Sequence, residues 1–107
     1  MRKITADLLA AKGACPDQLD IFRERFPNGL DPATVRPEEV AYLNVEWAVD
    51  TLLPGPAWRV YWKAIAPGRE AWGAGATSWE AYEEAQARAA IELFRQYWSY
   101  AGEEAGE

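Results

Sequence analysis

Histidine is absent from the 107-residue chain, and Cys15 is its single cysteine. Without histidine, neither a Ser-His-Asp nor a Cys-His nucleophile system can form. The same two shortages exclude a Cys/His zinc site, an iron–sulfur cluster and an internal disulfide. We therefore predict a non-catalytic protein, not an enzyme, with no metal site and no cofactor.

Basic residues are few as well. Eleven lysines and arginines stand against seventeen aspartates and glutamates, which gives a net charge of -6. A protein that holds the phosphate backbone of DNA or RNA needs a basic surface, because Lys and Arg contacts to phosphates supply most of its affinity. The charge balance therefore argues against direct binding of nucleic acid.

The chain also lacks a long apolar run. The stretch after the N-terminus is interrupted by Asp7 and ended by Lys12, so it is shorter than the roughly 7 to 15 apolar residues of a signal peptide. No stretch approaches the roughly 20 residues that cross a membrane. A lone cysteine fits a reducing compartment. We predict a cytoplasmic protein that does not enter a membrane.

What the chain does contain is a series of helix signals. Thr5 is a suitable N-cap for a helix over residues 5–12, and Pro16 can open a second helix over residues 16–26. A third helix is predicted as one element over residues 37–54, because a proline stands at each of its ends and its apolar residues share a broad face.

The segment 56–77 permits two interpretations. Alternating apolar side chains allow a β-hairpin at about 58–76, whereas spacings of three and four allow helices, with Pro67 starting a new short one. Aromatic residues recur after eleven and then ten positions, at Tyr61, Trp72 and Tyr82. Eleven residues make three helical turns, so this spacing keeps the aromatics on one helix face and favours the helices.

The predicted fold is all-α. Residues 1–101 are expected to form a single compact bundle of about five or six helices, ending in a long helix that Ser78 caps and that runs to about Tyr100. The alternative is an α+β fold with the hairpin at about 58–76. Residues 102–107 are predicted as an acidic, frayed tail. The residues expected in the core are Leu8, Leu9, Leu19, Phe22, Phe26, Val40, Trp47, Leu52, Trp62, Ile65, Tyr82, Ala89, Leu93 and Phe94.

Two kinds of surface are candidate binding sites. Two stretches carry acids and no bases, and an acidic surface can dock on a basic, nucleic-acid-binding protein in place of phosphates. Six tryptophans are more than a small core buries completely, so some should form an exposed patch for a protein partner. The candidate partner-binding residues are the acids Glu39, Glu46, Asp50, Glu80, Glu83 and Glu84 and the tryptophans Trp58, Trp72 and Trp79.

Catalytic roles for Cys15 and for the acidic residues are less favoured. Cys15 precedes a helix N-terminus, where a thiolate is stabilised, but without a histidine to act as base we interpret it as a small buried residue at a helix junction. Glu39, Glu46 and Asp50 are expected on one solvated face of the third helix. We interpret Glu46 and Asp50 as ordinary i, i+4 neighbours rather than as a catalytic pair.

The order of several short motifs resembles small uncharacterised phage and prophage proteins. The corresponding segments are Lys12-Gly13-Ala14-Cys15, Phe26-Pro27-Asn28-Gly29, Trp47-Ala48, Leu52-Leu53 and the Tyr/Trp–Ala–Pro repeats from Tyr61 to Ala87. Gly68, Gly73 and Gly75 depart from the pattern of the repeats. The resemblance implies an all-α fold and a mobile-element origin, and it implies no activity and no catalytic residues.

The combined prediction is a non-catalytic accessory protein of phage type that acts in the host cytoplasm by binding a host protein. The expected partner is a basic, nucleic-acid-binding protein, and the expected effect is inhibition of a defence effector, as anti-CRISPR proteins achieve. The alternative is a self-associating structural or interaction protein whose aromatic helices pack in a homodimer.

Overall fold

A computed structural model describes the backbone of residues 3–104 and the side chains of residues 3–98. The helices within that range are α1 Ala6–Ala11, α2 Pro16–Arg25, α3 Pro37–Val40, α4 Val45–Leu52, α5 Gly55–Gly73 and α6 Trp79–Glu104. In this part of the chain the only β-type pairing is an isolated antiparallel bridge between Ile4 and Leu30. The all-α prediction is confirmed, and the alternative hairpin at about 58–76 is wrong.

Three of the predicted helix starts are confirmed by their capping geometry. The backbone N–H of Leu8 donates to Thr5 Oγ1 over 3.2 Å at the start of α1. Pro16 occupies the first turn of α2, where its missing N–H costs no helical hydrogen bond. The N–H of Ala81 donates to Ser78 Oγ over 3.1 Å at the start of α6. The predicted tail begins inside α6, and its side chains and residues 105–107 lie outside the described residues.

The third predicted helix is two helices, so the single element over 37–54 is wrong. The backbone leaves the α-helix after Val40 and re-enters it at Val45. Asn44 supplies the reason, because its side-chain oxygen Oδ1 accepts the N–H of Trp47 over 3.0 Å and caps a new helix. Asparagine is among the strongest N-cap residues, so it competes with continuation of the preceding helix.

Helix α5 continues through Pro67, which does not start a new helix as predicted. A proline inside a helix removes one N–H donor and leaves the carbonyl four residues earlier without its usual partner. That carbonyl belongs to Lys63, an exposed residue, so water can satisfy it. Packing of the inner face of α5, where Tyr61 and Ile65 are buried, outweighs the local cost.

Helix α6 organises the core, since it packs against α3, α4 and α5. The largest fully buried side chains include Trp98 on α6, Tyr61 and Ile65 on α5 and Val49 on α4. The predicted core residues found buried are Leu19, Phe22, Val40, Leu52, Ile65, Tyr82, Ala89, Leu93 and Phe94. Those found half-buried are Leu8, Leu9, Phe26, Trp47 and Trp62.

Cys15 is exposed, which corrects its predicted burial at a helix junction. It is the N-cap position of α2, with extended backbone just outside the helix. The buried residues of this helix are Leu19 and Phe22.

Candidate functional site

The turn between α5 and α6 is built to a specific helix-ending geometry. Gly75 has a φ of 74°, and its N–H donates to the Trp72 carbonyl over 3.0 Å. The N–H of Ala76 donates to the Ala71 carbonyl over 2.8 Å. These two bonds form a Schellman motif, in which a left-handed glycine closes the last turn and satisfies otherwise free carbonyls. The chain therefore reverses direction at a defined angle, with Ser78 starting α6.

Three aromatic rings meet beside this turn, and we call them the aromatic tip: Trp72 from α5 with Trp79 and Tyr82 from α6. The ring centroids of Trp72 and Trp79 are 4.9 Å apart, and each lies 5.7 Å from that of Tyr82. Trp72 stacks on Tyr82 with an interplanar angle of 11°. Trp72 and Trp79 keep 44% and 47% of their surface exposed, whereas Tyr82 is buried.

Tyr82 anchors the aromatic tip by packing against α5 near Gly68. A Cβ atom at this position would lie 3.5 Å from Tyr82 Cδ1 and 4.0 Å from Ala85 Cβ. These are ordinary van der Waals distances, so the ring of Tyr82 lies close to the α5 backbone without requiring a glycine there. The buried ring of Tyr82 supports Trp72 on one side, so the exposed tryptophans rest on a fixed base.

Carboxylates lie beside the aromatic tip on the first turns of α6. Glu83 is half-buried and follows Trp79 by four residues, which places the two side chains next to each other on one helix face. Glu80 is exposed. Within residues 3–98 neither carboxylate has an ion-pair partner, whereas Glu84 is bonded to Arg88 over 2.9 Å. Glu80 and Glu83 therefore carry the negative charge of this region.

Trp58 belongs to a second aromatic cluster on α5, the helix that also carries Trp72. Its ring centroid lies 5.3 Å from that of Trp62 and 6.1 Å from that of Tyr61. The guanidinium carbon of Arg69 lies over the Trp62 ring, 5.2 Å from its centroid, within the roughly 6 Å of a cation–π contact. Fourteen residues separate Trp58 from Trp72, about 21 Å along a helix, so the structure does not bring Trp58 into the aromatic tip.

The acids of α3 and α4 do not form the single solvated face that was predicted. Glu39 is on α3 and accepts from Arg36 Nε over 3.2 Å, while Glu46 and Asp50 are on α4. Because the chain leaves the helix between them, helical spacing no longer relates Glu39 to the other two. Asp50 is exposed and Glu46 is half-buried.

Glu46 instead acts through its charge on the buried Tyr61. Burial raises the pKa of Tyr61 to about 12, and the negative charge of Glu46 adds to that rise. The side chain of Gln86 lowers this pKa by less. This is the environment of a phenol held neutral inside the fold.

No cluster of His, Cys, Asp and Glu in residues covered by the structure could hold a metal ion. A search of the same residues finds no helix with the length and apolarity needed to cross a bilayer. The exposed features that stand out are the two tryptophans and two carboxylates at the α5–α6 turn.

Sequence reasoning named both exposed tryptophans of the aromatic tip and both of its free carboxylates, but not Tyr82 as their partner. The available signal was the recurrence of aromatics at Tyr61, Trp72 and Tyr82, which indicates helix but not which helices meet. Comparison with protein-family models, with curated proteins and with solved structures found no match to this chain.

Proposed function

We propose that this chain is a non-catalytic protein-binding module of phage accessory type, and that the aromatic tip with Glu80 and Glu83 is its binding surface. One observation carries the proposal: two large exposed tryptophans pack against each other on a rigid helix turn, with two unpaired carboxylates beside them. Elsewhere on the described surface Val60 is the remaining large apolar side chain with comparable exposure.

Exposed tryptophans can supply much of the binding free energy of an interface. An aromatic side chain buries about 150–250 Å² when fully covered, and tryptophan is enriched among the residues that dominate binding free energy. A ring that is already held by neighbours loses little conformational freedom on binding. Trp72 and Trp79 meet both conditions, since each packs on Tyr82 and is about half exposed.

The carboxylates indicate the chemistry of the partner. Glu80 and Glu83 would attract a basic surface and speed its association, and the whole chain, at a net charge of -6, adds to that attraction. A basic, nucleic-acid-binding host protein has such a surface. The resemblance to phage proteins suggests that this host protein is a defence effector, which the module would inhibit by covering its nucleic-acid site.

Capture from bacterial lysate with variants of the aromatic tip tests the proposal. We expect the parent chain to retain a host protein that Trp79→Ala and the double variant Glu80→Gln/Glu83→Gln lose, with the salt sensitivity of capture reduced in the double variant. Val60→Ala and Asp17→Asn/Glu92→Gln are matched controls, because they change exposed residues of the same kinds elsewhere. Equal capture by the tip variants and the controls would contradict the proposal.

Self-association is the second candidate function, and the Trp58–Trp62 cluster favours it. Both tryptophans are half-buried on α5, so together with the aromatic tip they mark much of that helix as a possible dimer contact. Light scattering across a wide concentration range separates the candidates. A dimer that Trp79→Ala dissociates would support self-association, and a monomer at all concentrations would exclude it.

A further inference from the structure

A cavity lies where the N-terminal helices meet the rest of the molecule, away from the aromatic tip. Its volume is about 120 Å³. Its walls include Leu19 and Phe22 of α2, Ala48 of α4, and Ala90 and Phe94 of α6. The lining residues that reach solvent are mainly at the start of α2 and around residues 43–48, so the cavity opens between these two segments.

The cavity lies between the α1–α2 pair and the rest of the bundle, and the contacts that hold these two layers together lie beside the cavity rather than across it. Helices α1 and α2 pack on each other, and the segment after them is fastened to α6 by Arg95, whose Nε and Nη2 donate to the carbonyls of Pro32 and Val35 over 2.9 and 3.1 Å. Small side chains, Ala48 and Ala90, line the wall on the opposite side. Larger residues there would fill the space.

The size and lining suit a small apolar molecule. An apolar cavity of about 150 Å³ in another protein stays free of water and binds benzene, and this one is only slightly smaller. No charged side chain is among the described residues that line it. An ionised ligand would therefore lose its hydration without gaining a counter-charge.

Two polar side chains, Gln18 and Asn44, line the same cavity. Gln18 Oε1 accepts the backbone N–H of Asn44 over 2.9 Å, and Asn44 Oδ1 accepts the N–H of Trp47 over 3.0 Å. A backbone N–H can only donate, so both amide oxygens must face these donors. Each side chain also keeps an NH₂ group, whose donors a ligand can meet only with a hydrogen-bond acceptor.

We infer that this cavity is a binding site for a neutral molecule about the size of benzene, apolar over most of its surface and bearing one hydrogen-bond acceptor. The acceptor lies at the Gln18–Asn44 side, and the apolar part lies between Leu19, Phe22 and Phe94. A bound molecule adds contacts across the two layers and holds the α1–α2 pair against the bundle.

Cyclohexanone and methylenecyclohexane are suitable probes, because they share a shape and differ in one carbonyl oxygen. Methyl-group NMR of the full chain should show saturable shifts at Ile91 and Val45, which line the cavity, and none at Ile65, which does not. Cyclohexanone should bind about fivefold more tightly, as expected for one neutral hydrogen bond. Gln18→Met should remove most of that preference and leave hydrocarbon binding.

Filling the cavity provides the decisive control. Ala48→Leu should abolish binding of both probes, whereas Ala64→Leu, at an exposed position of α5, should bind them as the parent does. Ala90→Val fills the cavity from α6 and serves the same purpose if Ala48→Leu does not fold. Absence of saturable shifts in the parent, or equal binding by the filled variants, would overturn the site. Equal affinity for the two probes would overturn its acceptor specificity.

Discussion

At the scale of single residues, the side chains of Tyr61 and Tyr82 are both buried but differ in the contacts that they make. Tyr82 is buried and supports two exposed tryptophans through its ring. Tyr61 is also buried, but within the described residues its hydroxyl makes no hydrogen bond of good geometry, although the side chain of Gln86 is near it. An unpaired buried hydroxyl costs free energy relative to water. Tyr61 is therefore retained for the packing of its ring, not for its hydroxyl.

Replacing Tyr61 with phenylalanine tests this account. At neutral pH we expect the free energy of unfolding to stay the same or rise by up to about 1 kcal/mol, because an unpaired hydroxyl is removed and the ring is kept. The folded state holds its phenol proton to about pH 12, whereas the unfolded chain releases it near pH 10. Stability from this group is therefore present below pH 10 and is lost as the pH rises towards 12.

Urea denaturation at about pH 9 and about pH 11 measures the effect. Between these two values the parent should lose about 1 kcal/mol more stability than Tyr61→Phe. The other tyrosines titrate in both proteins, so the difference isolates Tyr61. An equal loss in the two proteins would show that the Tyr61 pKa is not raised by the fold.

At the scale of elements, the α5–α6 hairpin is defined by how α5 ends. The left-handed Gly75 and the bonds from Gly75 and Ala76 back to α5 set the direction of the chain before Ser78 caps α6. Trp72 and Trp79 lie on either side of this turn, so the geometry of the turn determines whether their rings meet. A local backbone conformation thus controls the candidate binding surface.

Gly75→Ala and Gly73→Ala form a matched pair at this turn, because an added Cβ meets no neighbour within 4 Å at either position. Gly75→Ala should lower the free energy of unfolding by about 1 kcal/mol, since a left-handed backbone is strained in alanine. Gly73→Ala should raise it by about 0.5–1 kcal/mol, since alanine favours the helix. Thermal and urea denaturation measure both. Changes of the same sign would contradict the assigned turn.

At the scale of the whole molecule, Arg95 joins parts of the chain that are distant in sequence. Its two bonds reach carbonyls 63 and 60 residues earlier, and they fix the segment between α2 and α3 on the last helix. Arg88, about two turns earlier on α6, makes only an exposed i, i+4 pair with Glu84. The sequence does not distinguish the two arginines, but Arg95 bonds a distant segment of the chain whereas Arg88 bonds a residue of its own helix.

Arg95→Met and Arg88→Met measure that difference. Arg95→Met should lower the free energy of unfolding by about 1.5–3 kcal/mol, because it removes two charge-assisted hydrogen bonds to partly buried carbonyls. Arg88→Met should lower it by no more than about 0.5 kcal/mol, as is usual for exposed helix pairs. Chemical denaturation of both variants gives the comparison, and similar losses would refute the bridging role of Arg95.

Local chemistry in the sequence was sufficient for much of the fold. Thr5, Pro16 and Ser78 predicted three helix starts, because capping depends on a few neighbouring backbone groups. The spacing of Tyr61 and Trp72 predicted helix for 56–77, because eleven residues match the helical repeat. Tyr82 lies on α6, beyond the turn, so the three aromatics do not share one helix face as predicted. That some tryptophans are exposed also followed from the sequence, since a small core cannot bury every large ring. The structure decided which ones, because Trp72 and Trp79 are exposed whereas the third candidate, Trp58, is half-buried.

Tertiary structure alone decided what depends on distant partners. Asn44 caps α4 while its backbone N–H donates to Gln18, 26 residues earlier, and so the third predicted helix became two. Pro67 stayed inside α5 because the buried inner face of that helix outweighs one missing hydrogen bond. Tyr82 joined Trp72 and Trp79 only because α5 and α6 approach at Gly68. Sequence patterns report local preferences, whereas these outcomes depend on contacts formed once the helices have packed.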